Sequence, residues 1–185
     1  MKFRNLVGVV ILFLSMFACK NEKAKEASNE TEKVPVTESV DKRYKVTLDF
    51  IAKKDDSFSL FYTTDGSIDF TKIEPLWVEF KGDEIIQQIV FNIPENVVPT
   101  QIRLDFGVNK AQEEIIIRKF KMEHLDKSFE GSGPIFFEYF RPDLTKTIVD
   151  TETGVVKPVI KKGKRQSPSF YPIEPTQAQE IAKIK

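Results

Sequence analysis

Gln101-Ile-Arg-Leu-Asp-Phe106 alternates apolar and polar residues without a fault. Ile102, Leu104 and Phe106 fall to one side, and Gln101, Arg103 and Asp105 to the other. Successive side chains of an extended chain point to opposite faces, so this period of two predicts a half-buried β-strand rather than a helix. The stretch immediately upstream, Pro94-Glu-Asn-Val-Val-Pro99, is a rigid connector, because each proline fixes its own φ and removes a ladder donor. Before it, Ile85 to Ile93 keeps Ile89, Phe91 and Ile93 in phase. After it, Glu114 to Met122 slips: Ile115 and Ile117 are odd-numbered, whereas Phe120 and Met122 are even. One extra residue near Arg118-Lys119 reconciles the two halves, which predicts a β-bulge there.

The same alternation runs through most of the chain. Tyr44, Val46, Leu48 and Phe50 share a face, as do Phe58, Leu60 and Tyr62 after a charged turn at Lys53-Lys-Asp-Asp56. Leu76-Trp-Val-Glu-Phe80 is a third strand, ended by Lys81-Gly82-Asp83. Gly131-Ser-Gly-Pro134 reads as a turn leading into Ile135-Phe-Phe-Glu-Tyr-Phe140, a strand apolar on both faces and therefore central or covered. Thr147–Asp150 and Val155–Ile160 form a hairpin across Thr151-Glu-Thr-Gly154. Many short strands with turns between them, and no strongly amphipathic helix, predict an all-β fold: an antiparallel β-sandwich or jelly roll.

The N-terminal residues have a different character. Lys2 and Arg4 precede the apolar run Leu6-Val-Gly-Val-Val-Ile-Leu-Phe-Leu14, which gives way to Ser15-Met-Phe-Ala-Cys19. A basic start, a short apolar stretch and a small residue before a cleavage point read as a secretory signal, too short for a stable membrane span. From Lys20 to Lys33 there is no aromatic and no large aliphatic residue, so the segment cannot offset its ordering entropy and is read as a disordered tether. The predicted organisation is a signal over 1–18, an anchor and linker over 19–42, a β-sandwich over 43–160, and a basic, proline-containing tail over 161–185. A short helix capped by Thr176 is expected within that tail.

The single cysteine of the chain, Cys19, directly follows Ala18. This layout resembles that of bacterial lipoproteins, whose acylated cysteine becomes the mature N-terminus, although Met16 and Phe17 depart from the usual lipobox. Lys20 followed by Glu22 resembles the export signal of Bacteroidota-type surface lipoproteins. The resemblance implies membrane attachment through lipidated Cys19, in the outer membrane and exposed at the cell surface. The stretch Thr100-Gln-Ile-Arg-Leu-Asp-Phe-Gly107, with Ile115-Ile-Ile-Arg-Lys-Phe-Lys-Met122 after it, resembles consecutive strands of galactose-binding-like jelly rolls. Those modules often accompany carbohydrate-active enzymes, which implies a sugar-binding role.

Composition narrows the function classes. A formal net charge of zero gives no global attraction to nucleic acid. With one cysteine in the chain, and that one expected to carry lipid, no thiol remains for a disulfide, metal or nucleophile. The only histidine, His124, lies at a strand end with no G-x-S-x-G elsewhere, so no catalytic residues and no cofactor are expected. Asp65-Gly-Ser-Ile-Asp69 lacks the full calcium-loop pattern and reads as a turn rather than a metal site. The run from Lys157 to Arg165 is basic; lysines there suit a solvated hairpin edge that resists pairing between molecules, or a contact with phosphate.

Alternation places Trp77 on the polar side of its strand, with Glu79 and Lys81. Gln88, Arg103 and Asp105 likewise lie opposite their own apolar rows. An aromatic plate beside amides and charges offers a sugar both an apolar platform and hydrogen bonds, so Trp77, Gln88, Arg103 and Asp105 are the candidate ligand-binding residues. In the competing arrangement the hairpin or the C-terminal tail covers Trp77 and the polar residues are simply solvated, as is the rule for antiparallel sheets. The expected function is therefore a non-catalytic, lipid-anchored binding domain that takes a glycan. The alternative is an assembly lipoprotein docked on an outer-membrane protein complex through Ile135–Phe140 and the C-terminal extension.

Overall fold

The computed structural model describes residues 40–185. The signal, Cys19 and most of the linker lie outside the described residues.

The chain forms two antiparallel sheets packed face to face. In order, the strands are β1 (Lys45–Ala52), β2 (Asp56–Thr63), β3 (Leu76–Phe80), β4 (Asp83–Asn92), β5 (Gln101–Phe106), β6 (Ile115–His124) and β7 (Lys127–Ser132). A 3-10 turn over Gly133–Ile135 and a short helix α1 (Phe136–Tyr139) follow, then β8 (Phe140–Pro142), β9 (Thr147–Asp150) and β10 (Val155–Pro158). The two-stranded ribbon β11 (Ile160–Lys161) and β12 (Lys164–Arg165) precedes β13 (Ser169–Pro172) and helix α2 (Thr176–Lys183). One sheet runs β4-β1-β6-β10-β9, with β7 also paired to β6; the other runs β3-β2-β5-β13-β8.

The alternating residues fill the space between the sheets. Val46, Leu48 and Phe50 face Phe58, Leu60 and Leu104, all fully buried. Phenylalanine rings link the layers: Phe58 lies 4.8 Å from Phe50, 4.6 Å from Phe80 and 4.9 Å from Phe106. Most of these contacts are edge-on, the geometry the ring quadrupole favours. The bulge lies where the phase slip puts it. Asp49 pairs with Lys119 and Phe50 with Ile117, leaving Arg118 as the extra, exposed residue.

Two expectations need correction. Ile135–Phe140 is not a strand: it is the 3-10 turn, helix α1 and the first residue of β8. Phe136 and Phe140 are four residues apart, both fully buried, and their rings stack at 4.8 Å. A helical turn brings such residues to one side, so a run apolar at five of six positions satisfied the core without extended alternation. The boundary at residue 160 is also wrong. Ser169–Pro172 is a strand between β5 and β8, with Phe170 fully buried. Helix α2 packs Ile181 into the same core, and Gln177 Oε1 accepts the Ile102 N–H at 2.7 Å. The C-terminal residues therefore complete the sandwich. Thr176 is the first residue of α2 rather than its cap, and Pro175 takes the cap position.

Candidate functional site

The outer face of the second sheet carries most of the predicted ligand residues. Strand pairing aligns Trp77 of β3, Ser59 of β2, Asp105 of β5 and Ser169 of β13 in one row. Phe61 and Arg103 are paired in the next row. Leu76, Val78 and Phe80 turn inward and pack against the core, which leaves Trp77 and Glu79 to solvent. Trp77 is 53% exposed. Among the described residues it is the only exposed aromatic side chain, so neither hairpin nor tail covers it.

Arg103 and Asp105 face the same way as Trp77 but are engaged with each other. Arg103 Nε donates to Asp105 Oδ1 at 2.8 Å and Nη2 donates to Oδ2 at 2.5 Å. The guanidinium lies 4.6 Å from the Phe61 ring centre and 4.7 Å from that of Tyr171. A bidentate pair held between two rings is fixed in place, and the two side chains are turned to each other, so this unit stiffens the sheet. Gln88 belongs to a different surface altogether. It lies on β4 of the first sheet, where its amide donates to Asp49 at 2.8 Å. Alternation indicates which residues point outward but not which sheet a strand joins, and that separates Gln88 from Trp77.

Beside Trp77, at the end of β2 and β3, lies an open concavity of about 590 Å³. Its walls include Asp55, Ser57, Glu79, Lys81 and Asn109, with Phe80 and Val108 as apolar parts. Ser57 pairs directly with Glu79, one row along from the Ser59–Trp77 pair, so the concavity and the indole share one face. Lys81 Nζ donates to Asp55 at 2.8 Å and the Gly82 N–H donates to it at 2.9 Å. The Lys81 hydrogen bond, seconded by that of Gly82, holds the Asp55 carboxyl below its ordinary range; the same pairing raises Lys81.

Asp56 forms the floor. Its Oδ1 accepts the N–H groups of Ser57, Val108 and Asn109 at 2.8, 2.7 and 2.9 Å. Gly107, at φ +77°, lets the backbone turn directly over the other carboxylate oxygen; a Cβ there would stand 2.4 Å from Asp56 Oδ2. Arg165 reaches the same spot from the ribbon, donating through Nε to Gln112 O at 2.9 Å and through Nη1 to Gly107 O at 3.0 Å. The last residue of the basic run is thus turned inward.

No family model, curated protein or solved structure matches the chain. The chemistry of this face is therefore read from its own geometry. Elsewhere, the paired carboxylates of Asp65 and Asp69 are engaged by Lys72, whose Nζ lies 2.8 Å from Asp65 and 3.9 Å from Asp69. His124 stacks on Tyr44 at 4.0 Å, with Nδ1 3.0 Å from Ile184 O. Of the four candidate ligand residues only Trp77 is free. Ser57 is placed by a cross-strand neighbour and Asn109 by a loop that folds back on Asp55, neither of which alternation encodes; Glu79, two residues from Trp77, was readable from parity alone.

Proposed function

We propose that this chain is a lipid-anchored envelope protein whose β-sandwich binds carbohydrate, without catalysis, at Trp77 and the adjoining concavity. The observation that carries this reading is the exposure of Trp77, while every other aromatic among the described residues is buried or half-buried. An indole left in water on a rigid strand offers an apolar plate to the C–H face of a pyranose, and Ser57 and Glu79 supply hydrogen-bonding groups within the next row. Glycoside hydrolysis needs two working carboxyl groups. Here Asp55 and Asp56 are committed to internal partners, which supports binding alone. Attachment through Cys19 rests on the signal-like residues before it, and the outer-membrane location rests on the resemblance to surface lipoproteins. Glycan-array screening of the whole protein against a Trp77→Ala variant tests the reading: array signal that persists in the variant, or no signal with either, rejects it.

The second reading, docking on an outer-membrane protein complex, loses both features that suggested it, since Phe136, Phe140 and the C-terminal residues are part of the core. A different observation favours it. Ile51, Ile116 and Val155 are paired across three strands of the first sheet, and Ile86 is exposed on the same side of its edge strand β4. Apolar residues gathered on one outer surface suit contact with another protein.

A further inference from the structure

Three carboxylates line the concavity beside Trp77, and two of them are satisfied within the protein. Asp55 is neutralised by Lys81 and held by the Gly82 N–H. Asp56 is 9% exposed and receives three backbone N–H groups on one oxygen. Glu79 has no ion pair or hydrogen bond among the described residues, and Lys81 senses it only as a weaker charge behind Asp55. Glu79 is exposed and stands two residues from Trp77 on the same side of β3. Their Cα atoms are therefore roughly 6.7 Å apart, a span that one sugar ring with an amino substituent bridges.

From this juxtaposition we infer that the ligand is an amino sugar with a free, protonated amine, its ring lying on Trp77 and its ammonium meeting Glu79. The inference rests on the carbohydrate reading above. The indole face carries negative charge density that attracts a cation, and the uncommitted carboxylate gives that cation a charge-assisted hydrogen bond. A uronic acid placed on the same plate meets Glu79 as a like charge and is repelled.

The protein has a single tryptophan, so intrinsic fluorescence reports on Trp77 alone. Titration of the full chain with a β-1,4-linked glucosamine tetramer, its fully N-acetylated counterpart and tetralysine separates the possibilities. The free-amine tetramer is expected to shift the emission with an affinity about tenfold above that of the acetylated tetramer, the combined effect of one exposed ion pair and one exposed cation–π contact. That preference should shrink to about twofold in Glu79→Gln and in 0.5 M salt, where exposed charges are screened. Equal or tighter binding of the acetylated tetramer overturns the amine inference and leaves the carbohydrate reading standing. A response to tetralysine as strong as that to the glucosamine tetramer overturns the sugar class itself. Silence with all three, in a protein whose melting is normal, overturns the inference, and silence across neutral glycans as well removes the carbohydrate reading.

Discussion

Asp56 and Arg165 converge on Gly107 from two sides without forming an ion pair. Asp56 Oδ2 and Arg165 Nη2 are both buried and both lack a hydrogen-bond partner among the described residues. Burial lowers the Arg165 guanidinium pKa, and the nearby Asp56 charge raises it in opposition. Two such groups are tolerated because their other polar atoms are hydrogen-bonded, and because glycine leaves the space between them. Gly107→Ala should therefore destabilise the protein by about 1–3 kcal/mol, from a strained positive φ and a clash with Asp56. Urea unfolding measures it; an unchanged midpoint would show that the close approach is not there.

Trp77→Ala should leave stability within about 0.5–1 kcal/mol of the parent, since an exposed side chain leaves no cavity. The parent itself should show the red emission and ready acrylamide quenching of an indole in water. A blue-shifted, protected emission, or a large drop in melting temperature for the variant, contradicts the exposure of Trp77.

Phe136→Ala should cost about 3–5 kcal/mol, as removal of a fully buried ring does. Phe137→Ala, at the half-buried neighbouring position, should cost clearly less. A strand through this run predicts the two rings on opposite faces, whereas the helix sends Phe136 inward with Phe140. Comparable losses at positions 136 and 137 in thermal melts would favour the strand.

The Asp55–Lys81 pair makes a prediction about pH. Its carboxyl pKa is depressed in the folded state, so the stabilisation is fully present above the ordinary carboxylate value and is lost as pH falls through the lower folded value. For Lys81, whose pKa is raised, the contribution is present below the ordinary lysine value and is lost as pH rises through the folded one. Carboxyl NMR titration should find Asp55 below the ordinary range, and Lys81→Met should bring it back part of the way, the Gly82 N–H retaining the rest. A titration unmoved by Lys81→Met would break the pairing.

Cys19→Ser should release the protein from the membrane fraction or leave it unprocessed. A variant that is processed and still partitions as an integral lipoprotein would remove the case for an anchor at that residue.

What the sequence made legible follows from what alternation encodes. Ile102, Leu104 and Phe106 had to share a face, and the odd-to-even slip between Ile117 and Phe120 located the bulge near Arg118-Lys119, of which the register singles out Arg118. Parity also put Trp77 and Glu79 outside. It carried no information on which sheet a strand joins, so Gln88 was grouped with residues it does not meet. Ile135–Phe140 is so uniformly apolar that neither period could be read from it. The clamp on Arg103 needed Tyr171, a residue of the short strand β13 far along the chain. Where a long-range partner decides the environment, local pattern stays silent.

The insertion of β13 between β5 and β8 sets an order of events during synthesis. Until Ser169–Pro172 has emerged, β5 has one neighbour, the Phe106 N–H lacks its acceptor at Pro168 O, and Phe106 has no Phe170 to pack against. Gln177, which satisfies Ile102 N–H, arrives later still. A nascent chain therefore cannot close its second sheet until Ser169–Pro172 has been released, because pairings so distant in sequence form only when both partners exist. The timing of that closure is thus written into the strand order, with the middle of the sheet supplied after both of its flanks.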